Sequence, residues 1–142
     1  MSKNYIRIYE MVFSTTTQYA LKILAYLNEH KEGLCSAKTL SEELNIPYKY
    51  LTKIMTKFTK NEMIESIQGR YGGFKLIDSK IITIYDILKL CDGDSAKDCI
   101  IEKIECDEKK KCHYHDAWQK PRESIKKDFL DADLKGCISK ES

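Results

Sequence analysis

The 142-residue chain is predicted to be mainly α-helical with one small β-hairpin. Three observations carry this. Tyr19, Ala20, Ile23, Leu24 and Leu27 repeat at helical spacing and define one buried face. Two further short helical patterns are joined by the tight turn Asn45-Ile46-Pro47. Directly after them, the β-prone runs Met63–Ile67 and Phe74–Ile77 flank Gln68-Gly69-Arg70-Tyr71-Gly72-Gly73, which is the pattern of a hairpin with a glycine-rich tip. A helix-turn-helix followed by a hairpin with a basic tip is a winged helix.

The first helix is expected to start at Ser14 or Thr15, whose side-chain oxygen can accept an otherwise unpaired backbone N–H. Gly33 is its expected stop. Ser36 reads as the cap of a second helix, Ala37 to Leu44, and Asn45 as its left-handed end. Pro47 suits the first turn of a third helix, where its missing N–H costs nothing, and that helix should run to about Asn61. Leu51, Ile54, Met55 and Phe58 share one of its faces, while Lys49, Thr52, Lys53, Thr56 and Lys60 lie opposite, within roughly 100° of arc. An ordinary solvated lysine face would look the same on this helix alone; the hairpin that follows tips the reading toward DNA recognition.

Ile84 to Leu90 is expected to form another short helix, capped by Thr83 and ended near Gly93. The pattern weakens between Asp94 and Lys111, then turns helical again from Cys112 or His115 to about Leu130, with Pro121 marking either a first turn or a kink. Trp118, Ile125 and Phe129 fall on one face of this long C-terminal helix. Such a stripe needs a partner to bury it, and a second copy of the chain is the simplest. The expected organisation is an N-terminal extension (1–10), a winged helix-turn-helix domain (11–93), a cysteine-bearing cofactor loop (94–114) and a dimerisation helix with its tail (115–142).

Hydrophobic residues make up 42% and charged residues 32% of the chain, enough for one core beneath a mixed-charge surface. No apolar run approaches the roughly 20 residues that span a bilayer, and no secretory signal pattern appears. A cytoplasmic protein without membrane contact is expected. Net charge is only +2, but it is unevenly spread. From Ile46 to Ile77 six basic residues face two acidic ones, whereas from Asp92 to Asp116 eight acidic residues face five basic. One part of the chain, therefore, is suited to meet a polyanion. The expected DNA-facing set is Ser36, Thr39, Tyr48, Lys49, Thr52, Lys53, Thr56, Arg70 and Tyr71. No Cys-x-x-Cys pair, nucleophile elbow or dinucleotide-binding glycine pattern supports an enzyme.

Of six cysteines, three fall in the constellation Cys99-x6-Cys106-x5-Cys112-x2-His115. Thiolates and a neutral imidazole suit Zn²⁺, Fe²⁺ and iron–sulfur clusters. Idle cysteines, a tetrahedral zinc site and an iron–sulfur cluster all remain open at this level, and residue types alone place zinc slightly ahead. His113 is an alternative to His115. Cys35 and Cys91 read as small core residues, and Cys137 stands alone in the tail.

Two stretches carry a resemblance to a known family. Leu44-Asn-Ile-Pro-Tyr-Lys-Tyr-Leu-Thr-Lys-Ile-Met55 is similar to the Leu-Gly-Ile-Pro…Tyr-Leu entry into the recognition helix of the Rrf2 family of winged-helix transcription regulators. Ser66-Ile-Gln-Gly-Arg-Tyr-Gly-Gly-Phe-Lys-Leu76 resembles that family's Arg-Gly-x-x-Gly-Gly-Tyr wing. Ser14…Tyr19-Ala20-Leu21 and Ile84-Tyr-Asp-Ile87…Asp92-Gly93 also match, so the resemblance spans Met11 to about Ile138. Asn45 replaces the usual glycine, Gln68 the wing arginine and Phe74 the tyrosine. The resemblance implies a homodimer on a palindromic double-stranded DNA operator and assigns Cys99, Cys106 and Cys112 as iron–sulfur ligands. In IscR-like members a histidine in the position of His115 completes a [2Fe–2S] site. NsrR-like members hold [4Fe–4S], some with an acidic ligand from the first helix of the other subunit, where this chain has Gln18. That favours [2Fe–2S], while one extra residue between the first two cysteines keeps [4Fe–4S] open. The alternative is a cluster-free regulator of the same fold that uses thiol chemistry or structural zinc.

Overall fold

Ser14 caps the first helix, α1 (Thr15–Glu29), its hydroxyl oxygen accepting the Thr17 N–H at 3.2 Å. The computed structural model describes residues 13–77, 81–93, 109 and 113–138, and the side chains of Trp118 and Ile138 lie outside that description. The expected extension over residues 1–10 and most of the cysteine-bearing loop also lie outside the described residues. The chain divides into two compact units between Lys80 and Ile81.

In the first unit, Ala20, Ile23, Leu24 and Leu27 of α1 are buried, as their spacing requires. The helix stops at His30 rather than near Gly33. His30 donates its N–H to the Tyr26 carbonyl at 3.0 Å, stacks its ring on Tyr26 at 4.0 Å and places Nδ1 2.9 Å from the same carbonyl. That side-chain cap ends the helix first, and Gly33 merely closes the turn that follows, its N–H on the His30 carbonyl.

The second helix, α2 (Ala37–Leu44), starts on Ser36, whose oxygen accepts the Thr39 N–H at 3.1 Å. Asn45 ends it in the left-handed region (φ 54°, ψ 47°). Ser41 then locks the turn from both sides: its hydroxyl donates to the Ile46 carbonyl at 2.6 Å, and its carbonyl accepts the Ile46 N–H at 3.1 Å. Pro47 stands just ahead of α3 (Tyr48–Lys60), which buries Leu51, Ile54, Met55 and Phe58. Tyr50 fastens α3 to α1, packing edge-on against Tyr19 with centroids 5.5 Å apart and bonding the Thr16 hydroxyl at 2.5 Å.

Between α3 and the hairpin, Glu62 takes a left-handed conformation (φ 56°) that a side chain resists by about 1–2 kcal/mol. The turn requires it, because the Met63 N–H reaches back to the Phe58 carbonyl at 2.9 Å. Glu62→Gly is therefore expected to stabilise the protein by about 0.5–1 kcal/mol, the relief of strain exceeding the added chain entropy. Denaturant titration of both proteins checks this.

Strands β1 (Ile64–Ile67) and β2 (Gly73–Leu76) pair antiparallel, from Ile64 with Leu76 to Ile67 with Gly73. A further pairing lies outside the sequence expectation. Cys35 and Phe74 exchange backbone hydrogen bonds at 3.0 and 2.8 Å, so the residue before the Ser36 cap adds a single antiparallel bridge to β2. Gly73 permits that approach, since a Cβ there would sit 2.8 Å from the Cys35 carbonyl oxygen.

In the second unit, α4 (Ile84–Asp92) opens with a reciprocal cap. The Thr83 hydroxyl oxygen accepts the Asp86 N–H at 3.1 Å, and the Asp86 carboxylate accepts the Thr83 N–H at 2.9 Å. Helix α5 (His115–Ile125) carries Pro121 in its interior and passes directly into a π-helical turn, Lys126–Leu130. The long C-terminal helix is thus helical over the expected span but changes its winding in the last five residues, where the Asp131 N–H bonds the Lys126 carbonyl at 2.8 Å. A short helix, α6 (Leu134–Ile138), follows where the sequence reading had a tail. Thr83 and Asp133 form an isolated bridge, and Leu134 donates its N–H to the Ile82 carbonyl at 2.7 Å. Ile82, Ile84, Ile87, Leu88, Leu130 and Leu134 are the buried hydrophobic residues among those described in this unit. None of the described helices is long and apolar enough to cross a membrane.

Candidate nucleic-acid interface and ligand histidine

The outer face of α3 presents Tyr48, Lys49, Lys53 and Thr56 to solvent, with Thr52 half-buried. Tyr48 is 55% exposed. Lys49 and Lys53 form no ion pair among the described residues. The threonines are already engaged: Thr52 donates its hydroxyl to the Lys49 carbonyl at 3.0 Å and Thr56 to the Thr52 carbonyl at 2.9 Å. Ser36 and Thr39 are exposed at the start of α2, joined to each other by a hydroxyl bond of 3.0 Å. Ser36 is thus the helix cap and Thr39 the residue it caps.

At the wing tip, Gly69 has φ +114°, and the Gly72 N–H closes a turn on the Gly69 carbonyl at 3.1 Å. Arg70 and Tyr71 occupy the end of that turn. The Arg70 guanidinium lies 5.6 Å from the Tyr71 ring centroid, and Tyr71 is 84% exposed. The α3 lysines and the wing-tip arginine thus belong to one unit of the chain.

Of the expected ligand set, Cys99, Cys106 and Cys112 lie outside the described residues. Among the described residues there is no group of three or more metal-ligating side chains. His115 is described, as the first residue of α5, and is only 5% exposed. Its Nε2 is buried with no hydrogen-bond partner among the described residues. Leaving such an atom unpaired costs about 1–3 kcal/mol, so it needs a reason. An imidazole at a helix N-terminus whose Nε2 has no partner among the described residues fits a ligand of a thiolate-bound metal or cluster, whose negative charge the helix dipole favours. His113, the alternative, is exposed.

The other cysteines differ in accessibility. Cys35 is buried, and desolvation pushes its thiol above the ordinary value of 9.0. Cys137 is exposed. In the native protein Cys137 is expected to react readily with a disulfide reagent such as DTNB while Cys35 is protected until unfolding; peptide mapping of the labelled protein checks this. In the proposed dimerisation stripe, Ile125 is half-buried and Phe129 is 40% exposed, whereas the neighbouring Leu130 is the residue buried in the unit.

Comparison with known proteins gives a consistent answer. The Rrf2 family, described as "Iron-dependent Transcriptional regulator", matches residues 13–138. An HTH-type protein of Aquifex aeolicus is 32% identical over 136 residues, covering 92% of this chain and 94% of its own. The HTH-type transcriptional regulator NsrR of Halalkalibacterium halodurans is 33% identical over 98 residues, 68% of this chain and 63% of that protein. Among solved structures, CymR, the global cysteine regulator of Bacillus subtilis, superposes with a TM-score of 0.72 at 25% identity, over 92% of this chain and 98% of CymR. The chain belongs to the Rrf2 family of DNA-binding transcription regulators.

Proposed function

We propose that this regulator binds a two-fold symmetric operator as a homodimer, with an affinity set by an iron–sulfur cluster held by Cys99, Cys106, Cys112 and His115. The observation that carries the cluster assignment is the buried Nε2 of His115, which has no hydrogen-bond partner among the described residues. Tyr48, Lys49, Thr52, Lys53 and Thr56 on α3 enter the major groove, and Arg70 and Tyr71 follow the adjacent minor groove. Ser36 and Thr39 sit over the phosphates at the start of α2. The lysines supply most of the affinity through phosphate contacts, which makes binding fall steeply with salt. Trp118, Ile125 and Phe129 form the subunit contact, which sets half-site spacing at about one helical turn or a multiple.

A bound iron–sulfur cluster supplies a centre whose charge and integrity respond to redox state, nitric oxide and iron–sulfur supply. The protein's part is to fix His115 at the head of α5, with its ring out of water and its nitrogen uncommitted. A [2Fe–2S] cluster suits a three-thiolate, one-imidazole set; [4Fe–4S] is the other cluster type.

The likeness to CymR supports a second reading, a cluster-free regulator that senses through thiols or holds structural zinc. Iron and acid-labile sulfide content of protein purified without oxygen, together with its visible absorption, separates these. About two irons per chain, lost in Cys106→Ala, is the expected result, and about four assigns [4Fe–4S]. A colourless protein with zinc or no metal overturns the cluster reading in favour of the second.

A further inference from the structure

The Gln68 side-chain amide donates to Ser66 Oγ at 3.3 Å, back along the strand. Arg70 is the one basic residue from Gln68 to Gly72, and its guanidinium lies over the ring of its neighbour Tyr71. Tyr71 itself is 84% exposed, so the fold does not need it for packing. An exposed aromatic ring beside a lone cation at the end of a constrained turn has a physical use, which is to hold that cation in place.

We propose that Tyr71 is a positioning residue that presents the Arg70 guanidinium to a narrow, A·T-rich minor groove, so that the pair sets the operator's base preference there. This rests on the reading of Arg70 as a DNA contact. An arginine side chain at a loop tip is otherwise free among many rotamers, and the ring face offers its guanidinium a preferred seat. The hairpin register fixes the tip at Gln68–Gly72, and the Gly69–Gly72 turn aims it. The reader so formed is short, cationic and planar. It matches the minor groove of A·T tracts, which is narrow and strongly negative. A G·C pair adds the guanine amino group to the floor of that groove, where it obstructs the guanidinium.

The test uses duplexes that the wild-type protein selects from a random library. Each A·T pair of a selected duplex is exchanged in turn for G·C or for inosine·cytosine, which lacks the minor-groove amino group. Affinities come from fluorescence anisotropy. At the wing-facing pairs, wild type is expected to bind A·T and inosine·cytosine duplexes alike and the G·C duplex about fivefold or more weakly. Tyr71→Leu should shrink that A·T-to-G·C ratio about two- to fivefold without changing the melting temperature, and Tyr71→Phe should retain it. Arg70→Ala should abolish it. A Tyr71→Leu ratio equal to wild type, while Arg70→Ala loses it, overturns the positioning role. Loss of the ratio in Tyr71→Phe also overturns it, because the hydroxyl and not the ring face would then act. An Arg70→Ala protein that keeps the wild-type ratio instead removes the underlying reading of Arg70 as a groove contact.

Discussion

Replacing Gly72 with alanine is expected to open the wing, lowering stability by about 1–3 kcal/mol and weakening operator binding by roughly 5- to 150-fold. A Cβ at position 72 would stand 2.0 Å from the Ile67 carbonyl oxygen and 2.9 Å from the Gln68 carbonyl carbon. Both are backbone atoms, so no side chain can swing away. The strands must part at their tip end, where Ile67 pairs with Gly73, and Arg70 and Tyr71 lose the turn that aims them. Gly33→Ala is the matched control. It adds the same methyl group where nothing lies within 4 Å, and it should leave DNA affinity unchanged. Urea denaturation and a DNA titration on both variants read the two effects. A Gly72→Ala protein with wild-type DNA affinity would show that the wing is not part of the interface.

His115→Leu is expected to move stability and cofactor content in opposite directions. In the cofactor-free protein the substitution removes a buried nitrogen that has no hydrogen-bond partner among the described residues, so unfolding should become harder by about 1–3 kcal/mol. On the proposed ligand assignment the same protein, purified without oxygen, should hold its iron poorly or not at all. Tension of this kind between a functional group and the stability of its surroundings is common at sites retained for activity. A histidine kept only for packing would give the first effect without the second. Thermal melts of the cofactor-free proteins and iron analysis of the anaerobic ones make the comparison. His113→Leu, at an exposed position, should change neither.

The elements that were legible in the sequence are those with a period or a cap. The Tyr19–Leu27 spacing, Ser14, Ser36 and Thr83 at helix starts, Asn45 at the turn and the glycines of the wing each have a local physical cause, and each is where that cause puts it. Features that depend on one particular partner, rather than on a period or a familiar cap, were not legible. The bridge between Cys35 and Phe74 is a single pair, too short to leave any alternation. Glu62 is left-handed because Met63 must reach Phe58, a demand of the turn and not of glutamate. The early stop of α1 comes from a Tyr26–His30 stack, which competes with the more familiar glycine signal. The π-helical turn at Lys126–Leu130 and the short α6 rest on packing within the second unit. For the candidate site, the sequence offered His115 as a candidate ligand with His113 as alternative, but only the structure gives His115 its burial and an Nε2 without a hydrogen-bond partner among the described residues. The engagement of Ser36 as helix cap, bonded to the Thr39 N–H and hydroxyl, is likewise a matter of geometry.

The central claim is that a cofactor at His115 and the three loop cysteines sets how tightly this regulator holds DNA. Its most direct test is a titration of one labelled operator duplex with a single anaerobic preparation, before and after the cofactor is stripped by chelation. Coupling of the size usual between two sites on one protein gives a change of about 5- to 150-fold in affinity, in one direction and reversible on reconstitution. Identical affinities at matched salt, with the cofactor demonstrably present in one sample and absent from the other, would contradict the claim.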